Sequence, residues 1–134
     1  MDLAEILKDW DPNPGADADA IRTAEASIGL TFPEDYKQFL ARTNGGVGNV
    51  GPNYLSLYRV EELKQLNDGY EGSRYVPSVL LIGSDGGGEA YVFDLRKSPW
   101  AIARIPFIGM DLKYLSPMAD SFSQFLERLT HDDE

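Results

Sequence analysis

Asp85, Glu89 and Asp94 form the densest local set of acids in the chain, and they are the residues that a hydrolytic chemistry would have to use. Paired carboxylates can act as general acid and base on a glycosidic bond, and three together can hold a hard cation. The spacing lacks the D-x-[DN]-x-[DN]-G order of a calcium loop and brings few neighbouring oxygens. An exposed hairpin turn explains the same acids more cheaply. Between them, Gly86-Gly87-Gly88 invites comparison with a phosphate-binding loop. That pattern requires a lysine followed by serine or threonine, whereas here Glu89 follows, and a carboxylate repels phosphate. The glycines also lead into a strand-like run, where a phosphate cradle leads into a helix N-terminus. His131, the single histidine, lies in the tail expected to fray, and cysteine is absent, so one chain is not expected to assemble a Ser-His-Asp relay, a His-based metal site or a thiolate nucleophile. The expectation is a protein with no catalytic residues, no metal and no cofactor.

The formal net charge of −10 excludes partners that are themselves anionic, such as a nucleic-acid backbone or an acidic membrane surface. A basic partner would be attracted. The acid is concentrated, with seven acids against two bases in residues 1–30 and six against two in residues 61–90. The opening M-D-L-A-E-I-L-K-D-W is acidic where a secretory leader would be basic, and no apolar run approaches the roughly 18 residues of a membrane span. A mature chain equal to the whole sequence is therefore expected, and the absence of cysteine suits a cytoplasmic location. Its 134 residues fit a single domain over 1–134, with residues 1–16 as an N-terminal extension and 131–134 as a frayed tail.

The elements that must position any site are readable from periodicity. Leu3, Ile6, Leu7 and Trp10 recur at helical spacing, which predicts a short first helix stopped by Asp11-Pro12-Asn13-Pro14-Gly15. Asp17 or Asp19 caps a second helix with Ile21, Ala24 and Ile28 on one face and Gly29 at its end. Residues 30–46, L-T-F-P-E-D-Y-K-Q-F-L-A-R-T-N-G-G, predict a third: Thr31 and Glu34 as a capping box, Phe32, Tyr36, Phe39, Leu40 and Thr43 as a buried stripe, and Asn44-Gly45-Gly46 as the stop. Residues 47–53 read as turn and Tyr54–Tyr58 as a strand, followed by a short helix with Val60, Leu63 and Leu66. Val79–Ile82, Ala90–Leu95 and Trp100–Ile105 predict antiparallel strands, since their connections are too short for parallel crossovers. Leu112–Leu115 predicts a short edge strand, and Ser116-Pro117 the start of a last helix carrying Met118, Phe122, Phe125, Leu126 and Leu129. The class is α+β: an antiparallel sheet of about four strands with helices packed against it.

Three segments carry a resemblance. L-T-F-P-E-D-Y-K-Q-F-L-A-R-T-N-G-G, then I-G-S-D-G-G-G-E-A-Y-V-F-D, then S-F-S-Q-F-L-E-R-L is similar to the SUKH superfamily (SMI/KNR-like), which includes fungal cell-wall synthesis regulators and bacterial toxin-immunity proteins. The matching residues are Glu25, Leu30, Pro33, Tyr36, Phe39, Leu40, Asn44, Gly45 and Gly46 in the first block, and Ile82, Gly83, Asp85, Gly88 and Asp94 in the second. The resemblance implies helices packed on one antiparallel sheet, motif residues that mostly build the fold, and no enzymatic activity. It implies a protein-binding domain that neutralises a cognate toxin, often a nuclease; the alternative is a regulatory or scaffold module with a cellular partner. A nuclease must be basic to hold its substrate, so the contacts expected from charge are Glu61, Glu62, Asp68, Glu71, Asp85 and Glu89.

Overall fold

The computed structural model describes residues 3–69, 78–108 and 111–131. It is built on one antiparallel sheet whose strands lie in chain order: β1 (Trp10–Pro12), β2 (Gly46–Val50), β3 (Asn53–Leu57), β4 (Val79–Ser84), β5 (Glu89–Asp94), β6 (Ala101–Pro106) and β7 (Ser116–Ala119). The expected α+β class holds, but the sheet has seven strands rather than about four. The helices are α1 (Leu3–Ile6), α2 (Ala18–Ile28), α3 (Glu34–Arg42), α4 (Leu63–Gly69) and α5 (Phe122–Leu129). Side chains from all five, or from residues flanking them, join one buried cluster with Leu55, Leu57, Leu80, Ile82, Tyr91, Phe93 and Ile102 of the sheet.

Each additional strand has a local reason. β2 was hidden by its glycines, and it forms because Gly46, Val47, Gly48, Asn49 and Val50 pair in register with Leu57 back to Asn53 across a tight Gly51-Pro52 turn. Trp10 fits a helical stripe by spacing, yet α1 stops at Ile6 and Trp10 belongs to β1, opposite Gly48. Its indole N–H donates to the Leu55 carbonyl at 2.9 Å, a buried bond that fixes the strand over the sheet. Pro12 is tolerated because β1 is an edge. At the other edge, Ser116-Pro117 opens β7 and not a helix; Leu112–Tyr114 is a 3-10 turn, and α5 begins after Ser121, whose hydroxyl accepts from the Gln124 N–H. Met118 therefore lies in a strand, while Phe122, Phe125, Leu126 and Leu129 keep the stripe.

The third helix differs at both ends from the expected caps. Thr31 does not cap it: Pro33 is the N-cap, and the Phe32 N–H is taken by the Glu25 carboxylate of α2 at 2.8 Å. At the far end the chain leaves through an extended Thr43, and Asn44 becomes a buried tie. Its side chain accepts from the Val60 N–H at 2.8 Å and donates to Glu61 at 2.7 Å. Gly45 is left-handed (φ 79°), and a Cβ there would lie 2.5 Å from the Leu57 carbonyl oxygen. Between these ends the stripe behaves as expected: Tyr36, Phe39 and Leu40 are buried, with Phe39 against Trp10 and Phe122 and Tyr36 against Phe32, Phe93 and Phe122.

The sheet also splits. β3 and β4 pair through Ser56 with Ser84 and Leu57 with Gly83, the Tyr58 N–H reaches the Ile82 carbonyl, and then β3 departs. A 3-10 turn (Val60–Glu62) and α4 follow, and Asn67 of α4 takes the place of a missing strand. Its amide oxygen accepts from the Leu81 N–H at 2.8 Å, and its NH2 donates to the Leu81 carbonyl at 3.0 Å and to the Leu63 carbonyl at 2.8 Å.

Two stability outcomes follow. Phe39→Ala removes a ring packed between Trp10 and Phe122 and is expected to cost about 3–5 kcal/mol in urea unfolding. A variant that unfolds like the wild type would remove α3 from the core. Asn67→Ala orphans the Leu81 N–H and C=O on a buried strand, at about 1–3 kcal/mol per group. Wild-type stability in that variant would mean that the amide bonds are not what closes the split.

Candidate functional site

The acids weighed for chemistry and those expected to bind a partner are dispersed by the fold. Glu89 and Asp94 begin and end β5, five residue steps apart, which is roughly 17 Å at strand rise. Asp85 stays near Glu89: its Oδ1 accepts from the Gly87 N–H at 2.8 Å and the Glu89 N–H at 3.3 Å, closing the β4–β5 turn. Glu89 itself faces Arg104 at 3.9 Å. The three acids that a hydrolytic or cation site would have needed do not converge, and among the described residues no group of three or more His, Cys, Asp or Glu is placed to hold a metal ion.

Asp94 has a different employment. Its side chain is buried and binds Arg96 through both oxygens, Nε to Oδ1 and the terminal nitrogen to Oδ2, each at 3.0 Å, while the Arg96 N–H adds a third bond at 3.1 Å. The hydrogen bonds from Arg96 hold this carboxyl below the usual carboxylate range against the opposing effect of burial. Burial pushes the Tyr36 phenol above its ordinary value, so that group stays neutral and is part of the core.

The remaining expected contacts are on the surface with different local duties. Glu61 ties to Asn44, Glu62 accepts from the Arg59 N–H at 3.0 Å, and Asp68 pairs with Lys64 at 3.0 Å. Glu71 lies outside the described residues. Ser123 and Asp35 are hydrogen-bonded at 3.0 and 3.1 Å where α3 meets α5. His131 follows the opposite end of α5, eight residues and roughly 12 Å of helix rise from Ser123. A groove of about 200 Å³ above that contact has Phe39, Phe122 and Leu126 in its wall and Asp35, Gln38 and Arg42 beside them.

The two faces of the sheet are treated unequally. The helices cover one. On the other, Val79, Leu81, Ala90, Val92, Ala103 and Ile105 are sealed beneath Tyr58, Phe107, Leu112 and Leu115. That second cover lies over β4 to β6, and two outward side chains of β2 and β3 remain largely in solvent: Val47 and Tyr54 are each 43% exposed. The alternation of Tyr54-Leu55-Ser56-Leu57, with both leucines buried, is the sequence signal that turns Tyr54 and Ser56 outward.

Residues 15–128 match the SMI1 / KNR4 family (SUKH-1). The chain belongs to that family. A relative in Bacillus subtilis (strain 168), described as uncharacterized protein YnaB, is 40% identical over 78 residues, covering 58% of this chain. The matched part is 49% of the length of YnaB, so the chain spans about half of the curated relative it matches. Within this SUKH domain the motif residues have visible structural duties. Glu25 anchors Phe32, Asn44 ties α3 to the 3-10 turn, and Asp94 clamps Arg96. Tyr36, Phe39, Leu40 and Ile82 are core; Leu30 packs against it; Pro33 starts α3. Gly83 lets Ser56 approach, since a Cβ there would sit 2.3 Å from its carbonyl oxygen. Gly88 has open space around it, and nothing in the structure demands glycine there. No helix among the described residues is long and apolar enough to cross a membrane.

The Asp94 clamp yields a pH outcome. A carboxyl whose pKa is lowered by folding stabilises the fold above its unfolded value, and that contribution disappears as pH falls through the folded value. Arg96→Ala is expected to raise the Asp94 pKa, followed by carboxyl 13C NMR, and to open a stability gap at pH 7 that closes under strong acid. An unmoved Asp94 titration would show that Arg96 does not control it.

Proposed function

We propose that this SUKH domain is a non-enzymatic immunity-type protein that binds a cognate bacterial toxin in the cytoplasm and neutralises it by covering its active site. The reading rests on the family, on a formal net charge of −10, and above all on the placement of the acids. Glu62, Asp68, Asp85 and Glu89 are held by bonds to their own turn or by a base beside them and do not gather around a reaction centre. Carboxylates spread over a surface generate a field without a catalytic focus. A toxin that acts on nucleic acid carries the opposite charge, so such a field speeds encounter and favours the right partner.

Co-expression with the C-terminal domain of a toxin encoded beside this gene tests the reading. The two are expected to co-purify, and the toxin's activity is expected to be lost in the complex. Replacing Glu62, Asp68, Asp85 and Glu89 together with lysine should weaken binding by about tenfold or more at low salt and flatten its salt dependence. Unchanged affinity and salt response in that variant would refute electrostatic capture. Absence of any complex, or catalytic turnover by the purified chain alone, would refute the immunity reading.

A further inference from the structure

We infer that the bare outer face of β1 to β3 is the docking surface, and that its occupant is a partner protein presenting an apolar or aromatic knob ringed by lysine and arginine. The inference rests on the binding role proposed above and assigns it a place. In an antiparallel sheet with one wet face, outward positions are ordinarily polar. Here the outward positions include Val47 and Tyr54, both substantially exposed. Val47 pairs with Ser56 across the β2–β3 ladder, which puts Tyr54 on its diagonal on the same face, within reach of contact. The two make one patch. Tyr54 is also braced: a Cβ on Gly86 would lie 2.5 Å from its ring, so the β4–β5 turn that carries Asp85 lies against the tyrosine. A braced aromatic loses little freedom on binding, and tyrosine surrounded by polar residues is a common anchor of protein interfaces.

Charge defines the occupant. Beside the patch lies an open depression of about 370 Å³ whose lining includes Asp11, Val47, Ser56 and Glu62, with Arg59 as its base. With Asp85 on the turn at Tyr54, acids outnumber bases around the patch, so a cationic rim is complementary. A second copy of this chain is the poorer fit, because a two-fold contact would set these acids against their own counterparts. Over β4 to β6 this sheet face is already closed by Tyr58, Phe107, Leu112 and Leu115, whereas β1 to β3 have no such cover.

The test measures binding of the full chain to the C-terminal domain of the adjacent toxin. Val47→Arg with Tyr54→Arg adds two positive charges to the patch; Ala26→Arg with Gln65→Arg adds the same charge to exposed positions of α2 and α4, on the helix side. The expected result is an affinity loss of about thirtyfold or more for the first pair and a change within about threefold for the second, with unaltered circular dichroism. If the first pair unfolds, Ser56→Arg alone, at a half-buried outward position, must show the loss. Equal losses for both pairs, or none for the first, would overturn this docking face while leaving the immunity reading intact. Failure of the wild type to bind overturns both. Sedimentation of the wild type as a dimer that Val47→Arg dissolves would assign the face to self-association and overturn the proposal.

Discussion

The structure depends on how a seven-stranded sheet tolerates a break in its own middle. β3 and β4 share two register pairs, after which the backbone groups of Leu81 would face an interior with no strand beside them. Buried peptide groups left without partners cost far more than a formed bond contributes, so the gap must be filled by donors and acceptors. A helix cannot offer its backbone, which is already committed to its own ladder. An asparagine side chain can, because its amide presents one acceptor and two donors in a geometry close to that of a peptide. Asn67 supplies that substitute, and Asn44 supplies its counterpart at Val60 where the connecting segment enters. Two buried amides thus let an α-helical segment be set into the sheet with the Val60 N–H and both backbone groups of Leu81 bonded.

Setting that segment between β3 and β4 has a consequence for the surface. The strands beyond the split, β4 to β6, have both faces buried, one under helices and one under Tyr58 and the residues that follow β6. Those before it, β1 to β3, are covered on the helix side only. The molecule therefore has a thick half and a thin half, and its exposed apolar strand residues Val47 and Tyr54 fall in the thin half.

Legibility in the sequence followed the same division. β4, β5 and β6 read as strands because burial on both faces leaves continuous apolar runs, and α2, α3 and α5 read as helices because one buried stripe leaves a clear period. The sequences of β1, β2 and β7 each imitate something other than a strand. β2 carries glycines at Gly46 and Gly48, where a side chain would strike β1, so it looks like turn. Trp10 of β1 sits at a helical interval from Ile6, and Ser116-Pro117 of β7 has the composition of a helix start. In each case the tertiary partner outweighed the local preference. Asp85 and Glu89 read in the sequence as acids of an exposed turn and lie there, whereas Asp94, read with them, is buried at the far end of β5 because Arg96 binds it.

The same reasoning explains why the family motif says much about folding and little about recognition. Glu25, Asn44 and Asp94 are polar, and polar residues that recur in a motif invite a functional reading. Each is consumed inside the domain: Glu25 by the Phe32 N–H, Asn44 by the Val60 N–H and the Glu61 carboxylate, Asp94 by Arg96. A side chain whose hydrogen-bonding capacity is spent internally has little left for a partner. Val47, Tyr54 and Asp11 have no part in the quoted motif and lie outward on β1 to β3, Tyr54 with the β4–β5 turn against its ring. A scaffold held by internal polar ties, with the outer face of β1 to β3 left uncovered, can keep its architecture while outward residues of those strands are altered.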